Sequence, residues 1–169
     1  SSSIPNSLKI SLIAISSSAI LTLSILVLSG SVKFIPSQIV PITGMIAGNA
    51  MTTIGLCYRN LNSLFRDQRQ QILEKLSLGA TPNQASRTIL RETIRSGMQP
   101  SLDSAKTVGI VSLPGMMSGL MFAGTVPMTA IMYQIMVTFM LVAATSISSY
   151  IASFLAYREF YNDRQQLRV

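Results

Sequence analysis

The sequence has no histidine, no tryptophan and a single cysteine, Cys57, in 169 residues. One thiol excludes an intramolecular disulfide. The lack of His and of any Cys cluster removes the usual zinc and haem ligand sets. There is no G-x-x-x-x-G-K-[ST] string, so the chain has no P-loop for nucleotide hydrolysis. Acids are scarce as well, with six Asp and Glu against thirteen Lys and Arg, for a net charge of +7. In a soluble domain that balance would point to nucleic acid. Here the placement of the charges excludes that reading.

Three stretches carry no charge at all: 10–32, 34–58 and 107–157. A bilayer core of about 30 Å needs roughly 20 apolar residues per helix. The first two stretches fit one helix each. The third contains a turn signal, Gly124-Thr-Val-Pro127, and fits two. The expected architecture is therefore all-α: a single polytopic transmembrane helix bundle over 1–169, with spans at about 10–30, 37–57, 106–124 and 128–156 and a cytoplasmic loop at 58–105. A soluble apolar bundle is the competing reading, and repeated charge-free runs of membrane length argue against it. Residues 10–30 could also pass for a signal peptide, but the apolar run is long and three more spans follow.

Lys9, the basic residues between Arg59 and Lys106, and Arg158, Arg164 and Arg168 fall on one side of a four-span chain. Only Lys33 falls on the other. The positive-inside rule makes the crowded side cytoplasmic, with both ends of the chain there. No carboxylate or His lies inside a span, which counts against a proton-coupled carrier. Energy would have to come from a partner.

Within 58–105 the stretch "EKLSLGATPNQASRTIL", Glu74 to Leu90, reads as a helical hairpin. Leu61, Leu64, Ile72, Leu73 and Leu76 form an apolar stripe on a first amphipathic helix. Gly79 can take the left-handed conformation that ends it. Thr81, Pro82 and Gln84 form an N-cap, a first-turn proline and a capping-box partner for the next helix. Gly97 and Pro100 are expected to stop that helix, and Ser101 to cap the one that re-enters the membrane. Arg87, Arg91 and Arg95 recur every four residues on one face. A basic amphipathic helix of this kind is commonly an interfacial anchor on anionic headgroups.

The spans contain two G-x-x-x-G pairs, Gly44/Gly48 and Gly115/Gly119. Small residues at this spacing let helix backbones approach. Pro114 is expected to interrupt the third span. Asn49, Ser112, Tyr133 and Gln134 are the polar candidates for a translocation path, because a buried amide in lipid belongs against protein or water. Met128, Met132, Met136 and Met140 repeat every four residues, with Met116, Met117 and Met121 on the preceding span. A thioether path would suit Cu(I); packing of irregular gaps is the favoured reading. No metal ligand set can be named.

Glu74, Leu78, Gly79 and Ala80, followed by Ile89, resemble the "EAA" coupling loop of ABC-transporter permeases, which implies that Glu74, Leu78, Gly79, Ala80 and Thr81 couple to an ATPase. "GMIAGNAM", "EKLSLGATPNQA", "SAKTVGIVSLPGMMSGLMFAG" and "YQIMVTFML" together resemble the FetB-type (YbbM-like) permease family over essentially the whole chain. The resemblance implies a membrane subunit of an iron-export ABC transporter in a bacterial inner membrane. It also implies a FetA-type ATPase partner that binds ATP and Mg, a second permease copy, and no catalysis, cofactor or nucleic acid in this chain. Family members are longer, with further helices before the point where this chain starts, so the chain is expected to be a fragment lacking N-terminal helices. Two alternatives stay open. One is an ABC permease for another substrate or in the import direction. The other is a non-transporting membrane adaptor whose hairpin recruits a cytosolic protein.

Overall fold

The structure is a computed structural model that describes residues 4, 6–111 and 113–168. Among these residues there are six α-helices and no strand. They are α1 (Ser7–Leu28), α2 (Pro36–Asp67), α3 (Arg69–Ser77), α4 (Pro82–Thr107), α5 (Gly115–Phe122) and α6 (Pro127–Ala156), followed by a 3-10 turn at Tyr157–Phe160. Three helices are long and apolar enough to cross a membrane: Ser7–Leu28, Pro36–Asp67 and Pro127–Phe160. At about 1.5 Å per residue, α2 and α6 exceed the roughly 30 Å hydrocarbon thickness.

Two core clusters mark the two ends of the bundle. Leu26, Val32, Ile42, Ile46, Val137, Met140 and Ala144 pack at one end. Ile10, Tyr58, Phe65, Ile72, Ile89, Ala152 and Tyr157 pack at the other. The start of α1 is tied there by the Tyr58 hydroxyl, which donates to the Ser7 carbonyl at 3.1 Å and lies 2.9 Å from Ser11 Oγ. The foot of α1, the α3–α4 bend and the C-terminal tail therefore share one end of the bundle, and Lys33 lies at the other.

Two expectations change. The stretch 106–124 is not one continuous helix. Residues 106 and 107 end α4, the described residues 108–111, 113 and 114 are not helical, and only Gly115–Phe122 resumes. The third pass of the bundle is thus a broken one, made of the second half of α4, the break, and α5. Further, α4 is not stopped at Gly97 or Pro100; it runs through both to Thr107, and Ser101 lies inside it. Nor does it lie flat outside the bundle. Its Ser86, Ile89, Thr93 and Gly97 are buried at four- or three-residue spacing, and this row seats α4 between α2 and α6. At Gly97 the backbone is so close that an added Cβ would stand 2.6 Å from Cys57 Sγ and 3.0 Å from Ser149 Oγ.

Candidate functional site

The hairpin bend is set by local chemistry. α3 ends in a Schellman motif: Gly79, at φ +89°, donates to Leu76 O and Ala80 donates to Lys75 O, each at 3.1 Å. Two residues after Gly79, Thr81 caps α4. Gln84 N donates to Thr81 Oγ1 at 3.3 Å, and Thr81 N donates to Gln84 Oε1 at 3.0 Å, closing the capping box. The bend therefore has little freedom, while its apolar tip, Leu78, is 89% exposed. Glu74 is exposed beside it. Behind the tip, Ile72, Ala85 and Ile89 anchor both arms to Phe65, Phe160 and Tyr161. The Phe65 and Phe160 rings stack at 4.3 Å. The Tyr161 hydroxyl bonds to Ser86, so the tail that follows α6 holds α4 in place.

A second feature lies at the broken pass. A cavity of about 310 Å³ opens between α2, α4 and α6, with Pro114 among its lining residues. Asn49 and Gln134, 85 residues apart in sequence, both line it. Gln134 is 7% exposed, and its Oε1 is buried with no hydrogen-bond partner. The lining residues are neutral; the polar ones are amides and hydroxyls. Non-helical backbone within a membrane is tolerated where it lines a cavity, and Val108 and Pro114 of the break line this one.

The other path candidates part company. Tyr133 is 45% exposed and lines a different hollow with Lys33 and Met45. Ser112 lies outside the described residues. The hydroxyls of Thr52, Thr53 and Thr138, on the same cavity wall, were not singled out from the sequence. Their three- or four-residue spacing from Asn49 and Gln134 was the available signal, since Asn49/Thr52, Asn49/Thr53 and Gln134/Thr138 each sit about one turn apart on one helix face. The methionines do not form a path: Met128 and Met132 are exposed outward and Met140 is in the core. Among the described residues no group of three or more His, Cys, Asp or Glu could hold a metal.

Among the described residues, no close contact is made at the glycines of the two G-x-x-x-G pairs. An added Cβ at Gly44, Gly48, Gly115 or Gly119 would meet nothing within 4 Å. Close backbone approach occurs instead at Gly97.

Comparison with known proteins follows the same lines. The model of a family described as "Uncharacterised protein family (UPF0014)" matches residues 1–161. The chain belongs to this family. It is 61% identical over 159 residues to the probable iron export permease protein FetB of Escherichia coli K12, covering 94% of this chain and 61% of that protein. It is 36% identical over 164 residues to the UPF0014 membrane protein STAR2 of Oryza sativa subsp. japonica, covering 97% of this chain and 58% of the rice protein. It is 38% identical over 148 residues to the protein ALUMINUM SENSITIVE 3 of Arabidopsis thaliana, covering 88% and 54%. The chain spans somewhat over half the length of these curated relatives. No solved structure matches it.

Proposed function

We propose that this UPF0014 chain is part of the membrane-spanning permease of an ABC transporter that exports iron, driven by a separate ATPase subunit. The observation that carries the reading is the hairpin. A rigid, doubly capped bend presents a bare leucine, Leu78, at the end of the bundle where the basic residues gather. An apolar residue 89% exposed on a fixed turn, with its flanks anchored in a core, fits a knob for a groove in a partner protein. Glu74, Gly79, Ala80 and Thr81 shape and flank that knob. The E. coli relative, named as a probable iron export permease, supports the cargo and the direction. The bend lies on the cytoplasmic side with both ends of the chain, which is the side that positive-inside bias favours.

A second permease copy fits the open glycines of α2: an added Cβ at Gly44 or Gly48 would meet nothing within 4 Å, and small residues at this spacing let a helix of another chain approach.

The test is Gly79→Val in the full-length permease expressed with its ATPase. A β-branched residue at a positive φ strains the bend by roughly 1–2 kcal/mol or reshapes it. The membrane helices do not depend on the bend, so insertion is expected to be normal. Co-purification of the ATPase, or ATP-dependent lowering of cellular iron, is expected to fall. Charge reversal of Arg87 and Arg91 is the matched control for headgroup anchoring. If Gly79→Val leaves ATPase binding and iron export intact while the Arg reversals release the hairpin from anionic membranes, the hairpin is an interfacial anchor and the coupling reading fails.

A further inference from the structure

We propose that the cavity between α2, α4 and α6 holds the cargo as a hydrated metal cation, gripped through its waters by neutral oxygen acceptors, and that it rejects anionic metal chelates. This rests on the transport reading above and adds to it the place and the chemical form in which the cargo is bound.

The argument is a count of donors and acceptors. Asn49 Nδ2 already donates to Met45 O at 3.0 Å. Gln134 Nε2 donates to Thr138 Oγ1 at 3.3 Å, and that hydroxyl donates to Gln134 O at 2.9 Å. Thr52 Oγ1 donates to Gly48 O at 3.2 Å. The two threonines have thus spent their hydroxyl protons, and each amide has spent one of its two N–H groups. What these four groups keep for a ligand is mostly lone pairs, with one N–H left on each amide. The clearest case is Gln134 Oε1, buried and without any donor. A buried amide oxygen left unpaired costs free energy, so a site that keeps one is shaped for a ligand that brings N–H or O–H. The two prolines of the wall, Pro100 and Pro114, have no N–H to offer. Of the wall's remaining polar groups, Thr53, Ser101 and Ser104 carry hydroxyls that can turn to either role.

An acceptor-rich wall selects a ligand whose outer atoms are donors. Water bound to a metal ion is such a ligand, because the cation polarises its O–H bonds. A chelate built on carboxylates or phosphates turns acceptors outward and would meet mostly acceptors. Size agrees: six waters at about 30 Å³ each need about 180 Å³, and the cavity offers about 310 Å³. The wall has no carboxylate, imidazole or thiolate, so nothing on it strips the hydration shell by strong direct ligation. That suits a site that must release what it binds.

The experiment uses the full-length permease with its ATPase in lipid nanodiscs. Ferrous chloride under anaerobic conditions and ferric citrate are measured in parallel by equilibrium dialysis. Wild type is expected to bind ferrous ion and not ferric citrate. Gln134→Leu and Asn49→Leu are each expected to weaken ferrous binding at least tenfold. Gln134→Leu is expected to melt at or above the wild-type temperature, since it removes an unpaired buried acceptor; a merely structural glutamine would lower it. Should Gln134→Leu fail to fold, Asn49→Leu carries the binding measurement. Ferric citrate binding equal to that of ferrous ion, or unchanged ferrous affinity in both variants, overturns the proposal. If the ATPase still co-purifies in that event, the permease reading stands without it; if neither ion nor ATPase is retained by wild type, the permease reading itself falls.

Discussion

Gly97 and Gly48 look alike in the sequence: each is a glycine that follows a small residue, Ser96 or Ala47. In the fold they are opposites. Gly97 is pressed between α2 and α6, where Cys57, Ser149 and Thr53 surround the place a Cβ would occupy. Gly48 faces open space, as do Gly44, Gly115 and Gly119. The buried contact uses a glycine outside any G-x-x-x-G pair, and both such pairs point away from this chain's own helices. A small-residue motif marks a surface that permits close approach, and the approaching helix need not belong to the same stretch of chain.

The largest effect is expected at Gly97. Replacing Gly by Ala inside a helix gains up to about 1 kcal/mol of propensity. Overpacking a tight contact costs about 1–3 kcal/mol, and here the new Cβ would stand 2.6 Å from Cys57 Sγ. Gly97→Ala is therefore expected to be net destabilising, and Gly97→Leu to prevent folding or accumulation in the membrane. Adding Cys57→Ala to Gly97→Ala removes the nearest obstacle. The double variant should recover part of the loss, giving a favourable coupling in a double-mutant cycle of melting measurements. Strict additivity would mean that the contact is not where the structure puts it.

The contrast also marks how far the sequence could be read. The bend was legible because it is local: Gly79, Thr81, Pro82 and Gln84 lie within six residues, and each has one conformational job. α1, α2 and α6 were legible from charge-free length. The course of α4 was not. Arg87, Arg91 and Arg95 advertise a solvated face, and the opposite row of Ser86, Ile89, Thr93 and Gly97 is too mixed to read as a core stripe. The break before α5 was half legible: Pro114 signals an interruption, but nothing local says that the polar end of α4 would supply the lower part of that pass. The meeting of Asn49 with Gln134 depends on packing between distant helices, which no short-range pattern encodes.

A middling effect is expected where the C-terminal tail holds α4. The Tyr161 hydroxyl bonds to Ser86, and both residues are buried. Tyr161→Phe is expected to cost about 1 kcal/mol, the usual net worth of one hydrogen bond. Burial raises the Tyr161 pKa above its ordinary value of 10.0, against a smaller lowering by the Ser86 bond. A raised folded-state pKa gives a contribution fully present below about pH 10 and lost as pH rises through the folded value. Wild type should thus lose melting temperature in alkali faster than Tyr161→Phe does, and the gap between them should close. A gap that stays constant from pH 8 into the alkaline range would remove the tail's role as a titrating clasp.

The smallest effect on the fold is expected at Gly48, and it sharpens the contrast most. A leucine there meets nothing within 4 Å at its Cβ, and leucine is the better helix former by up to about 1 kcal/mol. The melting temperature of Gly48→Leu should equal or slightly exceed wild type. Its neighbours on the outward face of α2, Val40, Gly44 and Met51, are exposed as well, so the new side chain has no room to find inside this bundle and none to take away. If that face meets a second permease copy, the methyl groups of leucine hold the two backbones apart and the loss appears only in assembly. Cross-linking of the full-length protein in native membranes should then show fewer dimers with unchanged monomer stability. Unchanged dimer yield would assign the Gly44/Gly48 face to lipid. A large drop in monomer melting would instead place a helix of the same protein against Gly48, and the difference from Gly97 would then be one of degree.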